Sequence, residues 1–248
     1  MLDLIGASND FRELLHSVNG IVSREPELSI TRCFISRIPP ERLAFVDAID
    51  PSDFFYYGKS GITYDRQRFL EQKVGYAGSC RLCMSVQNHG LHVASIRSIV
   101  VNKTVLPTIE ADWSMLFTPE GGLGGDPWRF YCNLDDNPQR MRLCHPERGQ
   151  YVPCGDADYF ECGGIRIEPD HTEDIVLVLV ATDSAYGCTI QVRAESAKAG
   201  TYIIEPEEQP DLVVIPLGAI AEDRRYWYNF GTTPTGYSLE KNGYRVLF

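Results

Sequence analysis

From about Arg81 onward the chain is a succession of short runs rich in β-branched and aromatic residues, punctuated by clusters of Gly, Pro, Asn and Asp. No stretch of helical period and length interrupts them, so parallel βαβ winding, which needs a crossover helix between consecutive strands, is not expected. Strands are predicted at LCMSVQN, ASIRSIVVNKTV, DWSMLFTP, WRFYCNLD, IRIEP, DIVLVLVAT, GCTIQVRAE, TYIIEPE and LVVIP. Their regular spacing points to a mainly β fold, an antiparallel β-sandwich or jelly-roll-like domain. No repeat of fixed period runs through it.

The first part of the chain reads differently. Phe11, Leu14, Leu15, Val18, Ile21 and Val22 fall at the three-and-four spacing of one helical face, and Asp10 and Glu13 are placed like a capping box, so an amphipathic helix is predicted over residues 8–22. Such an apolar stripe must be covered, either by the chain's own body or by a second copy, which makes a homodimer possible. REPELSITRC follows as a polar tether. A second short helix is expected in IPPERLAFVDAIDPSD, where Pro40 suits a first turn and Asp50-Pro51 a stop. The organisation expected is a helical and irregular N-terminal extension over 1–75 and a β-sandwich domain over 76–248.

With 248 residues, 44% apolar and 11% aromatic, a chain of this kind can fill a core without staples. A net charge of −11 leaves no basic stripe to displace counterions from phosphates, so nucleic acid is not an expected partner. The longest apolar run, 175–181, is far short of the ~20 residues of a membrane-spanning helix. Asp3 stands where a signal peptide needs positive charge, and the apolar stretch breaks at Gly6. The eight cysteines are then read as buried hydrophobes or thiols rather than a disulfide framework, and the cytoplasm is the expected compartment.

SCRLCMSVQNH holds a Cys-x-x-C, Cys80 and Cys83, with His89 and His92 close behind. In strand period Leu82, Met84 and Val86 point one way while Cys83, Ser85 and Gln87 point the other. A zinc knuckle needs a tight turn between its sulfurs, and a redox pair needs a helix N-terminus, so these cysteines are read as strand residues, with zinc as the rival. CHPERGQYVPCGDADYFEC is the richest polar segment. Cys144, His145, Cys154 and Cys162 are its candidate zinc ligands, and Asp156, Asp158 and Glu161 would suit calcium instead. The alternative is an irregular surface loop.

Three further constellations bear on function. Cys188 or Cys162 with His171, His89 or His92 could serve acyl transfer, although sequence gives no proximity. Asp135 and Asp136, adjacent on a strand, face opposite sides and read as a turn at LDDNP rather than a glycosidase pair. GGLGGDPWR, a single copy of a calcium-roll-like nonapeptide, reads as a turn feeding the strand at Phe130. Near the C-terminus Arg224, Tyr226, Trp227, Tyr228 and Phe230 form an aromatic and cationic segment that could be a binding surface or a closing strand packed across the sandwich. DFFYYGKSG raises the same choice.

CRLCMSVQNHGLHVASIRSIVV, then GGLGGDPWRFYCNLDD, then IRIEPDHTEDIVLVLVATDSAYGCTIQV, and a strand ending in LVVIP together resemble a C-terminal module of many uncharacterised actinobacterial proteins, one that often follows a helix-turn-helix or signalling segment. The likeness spans roughly residues 80 to 230. It implies a β-sandwich and carries no catalytic residues. Ile190 stands where that pattern often has Trp, and no helix-turn-helix precedes the module here, so transcriptional regulation is not implied. The expected function is a non-catalytic intracellular binding or regulatory module for a protein or small ligand. The alternatives are a metal- or thiol-dependent enzyme using the Cys144 to Cys162 segment, with zinc as its cofactor, and a carbohydrate-binding module.

Overall fold

In the computed structural model, which describes residues 26–35, 41–45, 55–58, 61–64, 71, 73–107, 109, 111–117, 126–147, 150–233, 236–241 and 244–245, the apolar runs become strands of two sheets. The first sheet has six strands in the order β1 (Leu28–Ile35), β6 (Ser79–Asn88), β13 (Thr172–Val180), β9 (Trp128–Asn133), β10 (Arg142–Glu147) and β11 (Gln150–Pro153). The second has 13. Its path runs β12 (Ile165–Ile167), β7 (Ala94–Val105), β14 (Tyr186–Ser196), β16 (Leu212–Ile215), β5 (Lys73–Ala77), β2 (Glu41–Phe45), β8 (Trp113–Phe117), β17 (Arg225–Thr233), β18 (Gly236–Lys241), β4 (Gly61–Tyr64) and β3 (Phe55–Gly58). Two more strands flank that path: β15 (Gly200–Ile204) pairs with β14, and β19 (Tyr244–Arg245) with β18. The chain is mainly β, as its punctuated runs predict.

The core lies between the sheets. Alternation along β6 sends Cys80, Leu82, Met84 and Val86 inward, where they meet Ile96, Ile99 and Val101 of β7 and Ile190, Val192 and Ala194 of β14. Each large apolar side chain so buried contributes about 1.5–3 kcal/mol relative to exposure. β13 reads as an unbroken apolar run because both of its faces are covered. Ile175, Leu177 and Leu179 join the main core, while Val176 and Val178 form a second cluster with Cys83 and Cys144 under Tyr131 and Tyr151. The chain passes from the second sheet to the first at Gly78, whose φ of +79° favours glycine. The Gly78 amide donates to Ile215 O at 2.6 Å, and its carbonyl accepts from the Ala181 amide at 3.1 Å.

Several expectations change. The sheets are mixed rather than antiparallel: β13 runs parallel to β9, β16 to β5, β17 to β8 and β18 to β4. The intervening elements supply the long return that a parallel pair needs; β10, β11 and β12 lie between β9 and β13. From Leu28 onward the expected polar tether is β1, paired along β6 from Leu28↔Asn88 to Ile35↔Leu82. The second short helix is not formed at Glu41–Phe45, which is β2, held between β5 and β8 with Leu43, Ala44 and Phe45 all buried. Ladder pairing and burial on both sides override the helical signal of Pro40. The helix predicted over 8–22 lies outside the described residues. Among the described residues no helix is long and apolar enough to cross a membrane.

Candidate functional site

The Cys144 to Cys162 segment is a hairpin and a short helix, not an irregular loop. β10 and β11 pair antiparallel in the register Cys144↔Pro153, His145↔Val152, Pro146↔Tyr151 and Glu147↔Gln150, and the Cys154 amide extends the ladder onto Leu143 O at 2.7 Å. Strand alternation then divides the side chains between two faces. Leu143, His145, Glu147, Val152 and Cys154 share one face, and Cys144 and Tyr151 the other. Cys144 packs with Cys83, Val176 and Val178 in the cluster outside the main core, where burial, and then the neighbouring Cys154, push its thiol up to about 12.

After Cys154 the chain turns through Gly155 into helix α1 (Tyr159–Cys162), capped by Asp158. Asp158 Oδ1 accepts from the Phe160 amide at 2.7 Å and Oδ2 from the Met141 amide at 3.0 Å, while the Tyr159 amide donates to Met141 O at 2.8 Å. Aromatic packing seats the helix on the first sheet. Phe130 meets Tyr159 and Phe160 with ring centroids 5.4 and 5.3 Å apart, and Trp128 meets Tyr159 at 5.6 Å.

Between the hairpin end and α1 opens a cleft of about 440 Å³ lined by Leu143, Cys154, Ala157, Tyr159, Cys162 and the backbone of Gly155 and Gly163, among others. Its walls are largely apolar. The acids on it are Asp156 and Asp158: Asp158 is committed to the α1 cap, and Asp156 Oδ1 lies 3.7 Å from Arg142 Nη1. Among the described residues no Lys or Arg lines the cleft itself, though Arg140 Nη1 donates to the carbonyl of Asp156 at its edge at 3.2 Å. Cys154 and Cys162 are exposed thiols. His145 Nδ1 stands 3.5 Å from Cys154 Sγ, and His145 Nε2 stands 3.9 Å from Glu147 Oε2, which sets thiol, imidazole and carboxylate in a line along one hairpin face.

The candidate zinc set is therefore divided. His145, Cys154 and Cys162 lie on or beside the cleft; Cys144 faces the sheet. Among the described residues no group of three or more His, Cys, Asp or Glu side chains is placed to hold a metal ion. Cys80 and Cys83 point to opposite faces of β6, one in the main core and one in the outer cluster, as the strand reading requires. Cys188 is buried, and burial pushes its thiol up to about 11, which leaves a poor nucleophile for acyl transfer.

Asp135 and Asp136 do occupy a turn after β9. Asp136 Oδ1 accepts from Asn133 Nδ2 at 3.1 Å, and Asp135 gathers donors from the β13–β14 corner. The segment GGLGGDPWR does lead into β9, although residues 121–125 lie outside the described residues. Of the aromatic and cationic segment, Arg224 is exposed in a 3₁₀ turn and Tyr226 packs partly against the main core. Trp227, Tyr228 and Phe230 lie in β17, and their side chains are outside the described residues, as are those of Phe54, Phe55, Tyr56 and Tyr57.

Sequence reasoning passed over Glu27, Ser29 and Lys198. Glu27 precedes β1, Lys198 lies in the β14–β15 turn, and His89 and His92 follow β6; together they line a smaller pocket of about 230 Å³. Ser29 Oγ is 2.7 Å from His89 Nε2. Nothing in the local pattern of any one segment marks this meeting, because it depends on pairing between β1 and β6. No protein-family model, no curated protein and no solved structure matches the chain.

Proposed function

We propose that the protein is a non-catalytic binding module that takes a small, largely apolar, uncharged or cationic ligand in the cleft between β11 and α1. One observation carries this reading. A concave site of about 440 Å³ with largely apolar walls has the size and lining of a small-molecule pocket, and with Asp156 and Asp158 on it and no Lys or Arg among its described lining residues it disfavours anions. Its floor is preformed, since the Asp158 cap and the Phe130, Tyr159 and Phe160 packing fix α1 without a ligand. Preorganisation of that kind lowers the entropic cost of binding. Ligand-observed NMR with indole, benzamidine and benzoate tests it. Indole or benzamidine should bind and benzoate should not, and Ala157→Trp, which fills the cleft, should abolish the signal. Binding that survives Ala157→Trp would place the ligand elsewhere.

A second reading, thiol-dependent chemistry, is favoured by the Cys154, His145 and Glu147 line. An imidazole in contact with a thiol can take its proton and leave a nucleophilic thiolate. The pH profile of Cys154 alkylation separates the readings. An imidazole-assisted thiol reacts at neutral pH and slows in His145→Ala, whereas a simple lining thiol is indifferent to that change.

A further inference from the structure

The pocket beside β1 is built more firmly than its polar rim suggests. Asn88, fully buried, ties the loop after β6: its Nδ2 donates to His92 O at 2.8 Å and Ile167 O at 2.9 Å, and its Oδ1 accepts from the Gly90 amide at 2.9 Å. The His89 amide donates to Glu27 O at 2.8 Å, and the Leu28 amide to the Tyr202 hydroxyl at 3.0 Å. The Glu27 backbone is thereby fixed from two sides. Gly90 leaves room for the carboxylate, since a Cβ there would lie 2.6 Å from Glu27 Oε1.

Glu27 is only 6% exposed, and among the described residues its buried Oε2 has no hydrogen-bond partner. Oε1 lies 3.7 Å from Nδ1 of His92, a side chain that is itself 62% exposed and can swing aside. A buried carboxylate short of N–H donors is costly to hold charged, and a ligand that brings N–H groups to it through the pocket would relieve that cost. Among the described residues no group of three or more His, Cys, Asp or Glu is placed to hold a metal ion. An ammonium brings its own three donors. The exposed Lys198 lines the same pocket, so the site brings a buried carboxylate and an exposed ammonium together.

We propose that the pocket between Glu27 and Lys198 binds a small zwitterion, with a primary ammonium on the Glu27 carboxylate and a carboxylate at Lys198. A volume of about 230 Å³ limits the ligand to the size of a small amino acid. This site is separate from the cleft at α1 and does not depend on the function proposed for it.

The test is an amide chemical-shift titration of the full chain with β-alanine, γ-aminobutyrate, propylamine and butyrate. A zwitterion should bind in the millimolar range with shifts at Gly90 and Lys198, at least about tenfold tighter than the amine or the acid alone. Glu27→Gln, isosteric and relieved of an unpartnered charge, should keep its melting temperature and lose about tenfold or more in affinity. Lys198→Ala, at an exposed turn where folding is not at risk, should remove the preference over propylamine and leave amine binding intact. No shifts with either zwitterion, equal binding of propylamine in the unsubstituted chain, or undiminished binding by a folded Glu27→Gln variant would each overturn the proposal. If Glu27→Gln fails to fold, the Lys198→Ala result decides.

Discussion

Asp135 ties the two sheets at the corner where β13 hands over to β14, and Asp135→Asn measures that tie. Its Oδ2 accepts from the Thr182 amide at 2.6 Å, the Thr182 hydroxyl at 2.8 Å and the Asp183 amide at 3.3 Å. Its Oδ1 accepts from the Ser184 amide at 3.3 Å and the Tyr186 hydroxyl at 2.9 Å. Burial pushes this carboxyl up, but the hydrogen bonds, led by that of the Thr182 amide, outweigh it and hold the group below the usual aspartate range. An amide in its place keeps one acceptor oxygen and turns a donor toward backbone N–H groups that can only donate, while the Thr182 and Tyr186 hydroxyls can rotate to accept. A hydrogen bond to a charged group contributes about 1.5–3 kcal/mol, and water reaches this half-buried site, so loss of the charge and of the bonds to one of the two oxygens should cost about 2–4 kcal/mol at neutral pH. The stabilisation has a definite pH range. Because the folded-state value is lowered, it is fully present above the unfolded value of about 3.9 and is lost as pH falls through the folded one. The unsubstituted protein should thus lose stability more steeply than the variant below about pH 4, and the gap between them should narrow. Urea unfolding at several pH values, with m unchanged, reads both effects. A gap under about 0.5 kcal/mol at neutral pH, or one that stays constant into acid, would refute the reasoning.

Phe130→Ala removes a fully buried ring against which Tyr159 and Phe160 seat α1, and should cost about 3–5 kcal/mol in urea unfolding while loosening the cleft. Asn88→Ala orphans the Gly90 amide and the His92 and Ile167 carbonyls; a loss of about 2–4 kcal/mol is expected, read the same way. A thiol titration of the native protein at mildly alkaline pH should show two fast groups, Cys154 and Cys162, identified by mass spectrometry. Cys33, Cys132 and Cys144, each pushed up to about 12 chiefly by burial, should react only after denaturation.

The strands that could be read from the sequence are those whose pattern reflects a single environment. ASIRSIVVNKTV is β7 to the residue, and DIVLVLV is continuous because β13 is buried on both faces. β1 escaped notice because Thr31, Arg32 and Phe34 are exposed, which leaves LSITRCFI looking like a polar connection. ERLAF looked helical from Pro39-Pro40 before it, yet cross-strand partners far along the chain decide it. Pro146 hid β10; it is tolerated there because β10 is paired, over this stretch, only with the two-stranded extension of β11. For the site, the residue types between Cys144 and Cys162 pointed to the right segment. Which of them share a face depends on hairpin register, and that register turns Cys144 away from His145 and Cys154. Glu27 could not be found at all, since its partners lie on loops joined only through the β1–β6 pairing.

The measurement that bears most directly on a ligand cleft between β11 and α1 is the alkylation rate of Cys154 and Cys162 by iodoacetamide, each followed by mass spectrometry, with and without indole or benzamidine. Both thiols line the same space, so an occupant should slow both together, saturably and with one midpoint, while benzoate leaves both rates unchanged. Rates that do not move at any indole or benzamidine concentration, or protection by benzoate equal to that by benzamidine, would contradict a cleft built for an apolar, uncharged or cationic ligand.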